Sequence, residues 1–199
     1  MTRTDLEVAN DFVHRWLALR RDRRARLGMQ MPVAAVQVAA LRHADPAMRR
    51  CCLFLLDHYA SDASVDTFRN ALQDPVPSVR ESALHGLVCE RCREGDLCVT
   101  DVVTDLIEIL ACDVNAEVRH KAIVALSRFI VRDARAGEAI ARAALHDPDA
   151  AIRYVAQGAA HSGQPHHRDR KAALRNVRRA KRQRRELHAH ISVSNPTFC

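Results

Sequence analysis

Four segments of the sequence share one pattern, and this internal repeat constrains the fold more than any other feature. Each segment has an arginine with an apolar residue before it and a small residue three positions after it. These arginines are Arg49, Arg80, Arg119 and Arg153, spaced by 31, 39 and 34 residues. An apolar residue, a small residue and a further apolar residue at helical spacing predict a buried helix face that a neighbouring helix approaches closely.

Six residues before three of these arginines lies an aspartate: Asp74, Asp113 or Asp147. In the first copy His43 occupies this position, and Asp45 follows two residues later. The Asp-Pro pairs that begin at residues 45, 74 and 147 provide an N-cap oxygen followed by a residue with a preset φ angle. Each pair is therefore predicted to begin the second helix of a repeat.

A first helix is predicted before each second helix, at about 31–44, 64–73, 100–111 and 134–145. A single pair of helices is too thin to bury its own apolar stripe, so neighbouring pairs must stack. The sequence therefore predicts an all-α fold, a solenoid of about four α-hairpin repeats. The predicted domains are an N-terminal capping helix in 1–30, with helix 4–27 and a capping box from Thr4 to Glu7, a repeat domain in 31–162 and a basic, partly disordered helical tail in 163–199.

The register Asp-Pro-x-x-x-Val-Arg-x-x-Ala-x-x-Ala-Leu resembles the HEAT-like repeats of the phycobilisome-lyase type over residues 31–162. This resemblance implies a structural ladder in which aspartate and arginine tie one repeat to the next. The residues implied for the ladder are Asp74, Arg80, Asp113, Arg119, Asp147 and Arg153. The alternative interpretation is that these residues contact a ligand.

The net charge of +7 is concentrated at the two ends of the chain. Residues 165–187 hold ten Lys and Arg against two acids, 1–27 carry a net charge of +3, and 28–164 carry −4. A run of cations attracts phosphates without sequence preference, and a solvated run with no ligand is the alternative. The candidate polyanion-binding residues are Arg168, Arg170, Lys171, Arg175, Arg178, Arg179, Lys181, Arg182, Arg184 and Arg185.

One group of side chains has the character of metal ligands: His85, Cys89, Cys92 and Cys98. His85, Cys89 and Cys92 would share one side of a continuous helix, and Cys98 follows a turn. Four such ligands in a tetrahedral array suit zinc, so zinc is the one cofactor considered. A redox pair and incidental thiols are the alternatives. Cys52 instead occupies the small position of the repeat and is predicted to be buried.

No motif for a phosphate loop, a serine nucleophile elbow or a zinc protease occurs in the sequence. We therefore expect a non-enzymatic adaptor that binds an unidentified protein partner through its acidic repeat body, with basic ends that attach to polyanions. The alternatives are a non-specific DNA- or RNA-binding protein and a HEAT-like enzyme. The enzyme would be an alkylpurine DNA glycosylase or a bilin lyase. A glycosylase uses aromatics gathered in one cleft, but Trp16 and Tyr154 lie at opposite ends of the predicted array and Tyr59 is the only other large polar aromatic, which disfavours the glycosylase.

The longest uninterrupted apolar run is Cys51–Leu56, far shorter than the roughly 20 residues of a membrane-spanning helix. No membrane attachment is expected. The first residues show no signal-peptide pattern. We therefore expect a cytoplasmic protein whose seven cysteines are mostly reduced.

Overall fold

The computed structural model describes residues 4–89 and 102–162, and all regular structure within these ranges is helical. The prediction of an all-α chain is confirmed for this part of the sequence. These residues form ten α-helices and one short 3-10 helix, Asp62–Ser64. The α-helices are α1 (Asp5–Ala18), α2 (Arg21–Gly28), α3 (Val33–Arg42), α4 (Pro46–Tyr59), α5 (Val65–Ala71), α6 (Pro77–Val88), α7 (Val102–Cys112), α8 (Ala116–Leu126), α9 (Ala134–His146) and α10 (Ala150–Ser162).

The chain divides into two compact units, Met1–Leu126 and Ser127–Cys199. In the first unit α3 packs against α4, α5 against α6 and α7 against α8, so the helices are arranged in sequential pairs. The second helices of these pairs also meet, α4 against α6 and α6 against α8, and α3 packs on both α1 and α5. In the second unit α9 packs against α10. None of the described helices has both the length and the apolar composition needed to cross a bilayer.

The apolar stripe of the repeat forms the core of the first unit. Val79, Ala83 and Leu87 are fully buried on α6, and Val118 and Ala122 are fully buried on α8. Burial of each of the larger side chains stabilises the fold by about 1.5 to 3 kcal/mol. The small residue in the stripe lets neighbouring second helices lie close together.

Cys52, predicted to be buried, has no exposed surface, so this prediction is confirmed. Burial, together with a smaller effect of neighbouring Cys51, raises the pKa of Cys52 to about 12. The thiol is therefore protonated at neutral pH and behaves as a small apolar side chain.

The predicted first helices agree with α3, α5, α7 and α9 to within two residues at their described ends. Two of the predicted second-helix starts, at Asp74-Pro75 and Asp147-Pro148, are wrong. Helix α6 begins at Pro77 and α10 at Ala150. The aspartates instead form a turn before each helix, because each side chain accepts a hydrogen bond from the backbone N–H two residues further on. These bonds join Asp74 to Val76 N at 2.8 Å, Asp113 to Asn115 N at 2.8 Å and Asp147 to Asp149 N at 2.9 Å.

In the first copy of the repeat the aspartate lies two residues later than in the others because it has a different role. Asp45 is the N-cap of α4 and accepts a hydrogen bond from Ala47 N at 2.8 Å, so this predicted helix start is confirmed. His43 occupies the turn position, and its Nδ1 accepts a hydrogen bond from Asp45 N at 3.0 Å. Asp45 therefore corresponds to the caps Asn115 and Asp149, which follow the turn aspartates of later copies.

The N-terminal segment differs from the single helix predicted over 4–27. The capping box of α1 is confirmed, because Thr4 N donates to a Glu7 carboxylate oxygen at 2.8 Å and Glu7 N donates to Thr4 Oγ1 at 3.3 Å. The helix nevertheless ends at Ala18, and α2 begins at Arg21.

The side chain of Arg24 stabilises this break. Its guanidinium donates to the carbonyl oxygens of Leu19 and Leu17, at 3.0 and 2.8 Å, and it lies over the ring of Trp16. The Trp16 indole N–H in turn donates to Arg24 O at 3.1 Å. Arg24 thus satisfies carbonyls at the end of α1 that a continuous helix would have bonded internally. Leu17, next to buried Trp16 at the end of α1, is 48% exposed.

Candidate functional site

Two arginines of the repeat pattern each form a bidentate pair with an aspartate of the following repeat. Arg49 donates to both carboxylate oxygens of Asp74, at 2.6 and 2.9 Å. Arg80 donates to both oxygens of Asp113, at 2.7 Å each. All four side chains are at least nine-tenths buried. Paired guanidinium and carboxylate groups of this geometry are among the strong hydrogen bonds of proteins.

The same arginines also bind the backbone of their own repeat, six residues earlier in the chain. In all four copies one guanidinium nitrogen donates to the carbonyl oxygen of the residue in the turn position. The distances are 2.8 Å from Arg49 to His43, 2.8 Å from Arg80 to Asp74, 2.9 Å from Arg119 to Asp113 and 2.7 Å from Arg153 to Asp147. The local half of the ladder is therefore present in every copy.

Of the six predicted ladder residues, Asp74, Arg80 and Asp113 form bonds between repeats. Arg119, Asp147 and Arg153 form the local bonds. Arg49, which the predicted ladder left out, forms bonds of both kinds. Arg49 could have been found, because it aligns with the other three arginines. The missing aspartate of the first copy concealed its role, since Arg49 uses the carbonyl of His43 locally and the side chain of Asp74 in the next repeat. The structural role of the ladder stays a prediction, for which these contacts define a test.

The predicted polyanion-binding residues, from Arg168 to Arg185, lie outside the described residues, as do Cys92 and Cys98. Of the N-terminal arginines whose side chains the structure describes, Arg15, Arg20, Arg23 and Arg26 are exposed. Arg24 is directed inwards to the end of α1, so it contributes less to a basic surface than its sequence position suggests.

His85 and Cys89 lie close together, next to an acidic residue that the sequence analysis did not consider. One donor atom from each of Asp57, His85 and Cys89 lies within 4.8 Å of the other two. Asp57 is on α4 with a side chain only 2% exposed, whereas the His85 side chain on α6 is 65% exposed. Helix α6 ends at Val88 and Cys89 has an extended backbone, so the helical spacing expected through Cys92 ends before that residue.

The register of the repeat could have identified Asp57. It lies eight residues after Arg49, and the residues at that distance after Arg80 and Arg119 are Val88 and Ser127, both buried and uncharged. A charged residue at a buried position of the repeat indicates a local role, because burial of an uncompensated carboxylate is unfavourable.

Two histidines approach the same oxygen of Asp57. His85 Nε2 lies 3.5 Å from Asp57 Oδ2, and His58 Nδ1 lies 3.4 Å from it. His58 Nδ1 is also 3.0 Å from the carbonyl oxygen of Phe54. His58 Nδ1 can donate a hydrogen bond to Phe54 O. His85 is therefore the histidine whose nitrogen next to Asp57 is available to a ligand.

An aromatic surface lies beside this cluster on α4. Phe54 is 46% exposed, and its ring stacks on His58 with 4.0 Å between the ring centroids. The Trp16 ring lies 5.9 Å from Phe54, but it is buried and covered by Arg24. Tyr154, in the other unit, is 63% exposed. Tyr59 is partly exposed. Among the described residues of the first unit the most exposed large aromatic is thus Phe54, which the sequence analysis did not single out.

No protein-family model matches this sequence, and no curated protein is significantly similar to it.

Two neighbouring arginines of α4 can test whether the ladder has a structural role or binds a ligand. Arg49→Ala removes the partner of buried Asp74, and we expect the free energy of unfolding to fall by about 3 to 5 kcal/mol. Arg50→Ala removes the same charge from the adjacent, exposed position and should change it by less than about 0.5 kcal/mol. Denaturant unfolding of both variants measures this difference. Equal stabilities would show that the ladder pair is not structural.

Stability should also depend on pH through Asp74. Burial by itself raises the pKa of Asp74, but hydrogen bonds from Arg49 and Val76 N–H and the nearby positive charges outweigh it, so the pKa lies below its ordinary value. A lowered folded-state pKa stabilises the protein above the unfolded value of about 3.9, and this stabilisation is lost as the pH falls through the folded-state value. Wild type should therefore lose its stability advantage over Asp74→Asn on acidification, as measured by melting between pH 7 and 3. An advantage that stays constant over this range would contradict the assignment.

Proposed function

We propose that the chain is a HEAT-like protein of about four repeats that acts as a non-catalytic adaptor and binds a partner protein through the exposed side of its second helices. The Arg49–Asp74 and Arg80–Asp113 pairs support the repeat assignment in the first unit. In the second unit, the bond from Arg153 to the carbonyl of Asp147 supports a fourth copy. A row of packed helices gives a rigid surface, which lowers the entropy lost on binding.

The observation that carries this proposal is the half-exposed Phe54 on the outer side of α4. The ring is held by stacking on His58 and by contact with Trp16. Large aromatic side chains that are already fixed in place are typical anchors of protein interfaces, because they bury much apolar area at little entropic cost. The guanidinium groups of the ladder arginines, in contrast, are engaged in internal hydrogen bonds, so these arginines are poor candidates for partner contacts.

The basic segment supports a second attachment and a second candidate function. Residues 165–187 carry a net charge of +8, whereas 28–164 carry −4. An acidic repeat body with a basic extension suits simultaneous contact with a protein and a polyanion. If the extension alone binds, the protein is instead a non-specific DNA- or RNA-binding protein for which the repeats serve as a mount.

The protein-binding proposal predicts a defined effect of Phe54→Ala. Affinity enrichment from cell extract with the full chain, quantified by mass spectrometry, should identify partners whose recovery falls at least tenfold with Phe54→Ala. Val114→Ala is the matched control, because Val114 is apolar and 92% exposed but lies in the turn between α7 and α8. Melting curves of both variants check that the fold is retained. Recovery that is unchanged by Phe54→Ala in the folded variant would contradict the proposed surface.

The basic segment predicts salt-dependent binding to polyanions. Fluorescence anisotropy with duplex DNA of random sequence should show binding by the full chain that weakens steeply as salt is raised, because bound cations displace counterions from the phosphates. A chain ending at residue 164 should lose this binding and keep the partners that depend on Phe54. Absence of DNA and RNA binding at low salt would remove the nucleic-acid alternative, and loss of every partner on truncation would favour it over the adaptor.

A further inference from the structure

The side chains of Asp57, His85 and Cys89 meet where α4 packs against α6 in the first unit. Each contributes a different donor atom: a carboxylate oxygen, a ring nitrogen and a sulfur. Asp57 is buried, whereas His85 is largely exposed, so an ion could reach the cluster from solvent. We infer that these three residues form a binding site for a divalent transition-metal ion of the zinc class, independent of the adaptor function.

The distance between Asp57 and His85 suits an ion between these two side chains better than a direct contact. Ligands at about 2.0 to 2.3 Å from a tetrahedral zinc ion lie about 3.3 to 3.6 Å from one another. His85 Nε2 and Asp57 Oδ2 are 3.5 Å apart, which is the length of such an edge. The buried ion pairs of the ladder, in the same unit, are at 2.6 to 2.9 Å. The wider Asp57–His85 separation leaves room for a cation that both atoms bind.

The donor set selects the kind of metal. Sulfur and imidazole ligands favour zinc and neighbouring transition metals, whereas calcium and magnesium prefer oxygen ligands alone. A Cys89 thiolate and the Asp57 carboxylate together carry two negative charges, which a divalent ion neutralises. The carboxylate that such an ion would bind is buried at a position occupied by Val88 one repeat later.

The same three residue types also occur in cysteine nucleophile sites, but their arrangement here favours a metal. In a Cys-His-Asp relay the cysteine and the carboxylate contact opposite nitrogens of the imidazole, so the three groups form a line. Here a single atom from each residue lies within 4.8 Å of the other two, so the three donor atoms are grouped together rather than lined up. A metal ion requires donor atoms that are grouped around it, whereas a proton relay requires them in a line.

The site is tested by loading the full-length, reduced chain with Zn²⁺ or Co²⁺ after removal of metal by dialysis. We expect one bound ion per chain, measured by elemental analysis, and a thiolate-to-cobalt charge-transfer band in the Co²⁺ form. Competition with a chromophoric chelator should show at least tenfold weaker binding for Asp57→Asn, His85→Asn and Cys89→Ser. His14→Asn and Cys112→Ser replace an exposed histidine and an exposed cysteine elsewhere in the first unit, and they should bind metal as tightly as wild type.

Metal affinity that is the same in Asp57→Asn as in wild type would overturn the inference, because Asp57 distinguishes this site from one built of cysteines. The same holds if the wild-type chain binds neither ion. Since a buried acid can matter for folding, ¹¹³Cd NMR of the wild-type chain gives a measurement that needs no variant. A chemical shift typical of a single thiolate with nitrogen and oxygen ligands supports the site, and a shift typical of two or more thiolates overturns it.

Discussion

The pairs Arg49–Asp74 and Arg80–Asp113 are the interaction that joins one helix pair of the first unit to the next. One guanidinium binds the carbonyl of its own turn and both carboxylate oxygens of the next turn, as Arg80 does with Asp74 O and the Asp113 side chain. The bound aspartate then accepts a backbone N–H two residues further on and so fixes the start of its own second helix. A buried ion pair contributes little net stability when compared with apolar packing. We therefore expect its directional bonds to fix the register of one helix pair on the next rather than to add net stability.

The repeat made most of the helices predictable, because burial of an apolar stripe at helical spacing depends on local sequence. The exact helix starts were less predictable. Asp-Pro resembles an N-cap followed by the first helical residue, but Asp74 and Asp147 are held in turns by arginines six residues later, and this moves the cap to the second residue after each aspartate. The break between α1 and α2 was also not predictable. It depends on Arg24 contacting Trp16 and the end of α1, which are tertiary contacts that helix propensity does not describe.

Only part of the candidate metal site could be predicted from the sequence. His85 and Cys89 are four residues apart and carry donor atoms, which is a local signal. Asp57 is 28 residues before His85, and an isolated acid on a helix is ordinarily a solvated one. Only the packing of α4 against α6 brings its carboxylate to His85. Comparison of repeat positions would nevertheless have marked Asp57, since the copies that follow have Val88 and Ser127 at the same distance from their arginines.

This comparison also suggests how a binding site arises in a repeat protein. Asp57 lies eight residues after Arg49, and His85 lies five residues after the next ladder arginine, Arg80. At the same distances one repeat later the residues are Val88 and Val124. Two side chains with donor atoms therefore replace an apolar pair between one repeat and the next, while the ladder arginines keep their positions in the sequence pattern. Asp57 Oδ2 also lies 3.4 Å from His58, on which the Phe54 ring stacks. A metal ion on Asp57 would change the electrostatic environment of this aromatic pair. Because linkage is reciprocal, any effect of the metal on partner affinity must equal the effect of the partner on metal affinity.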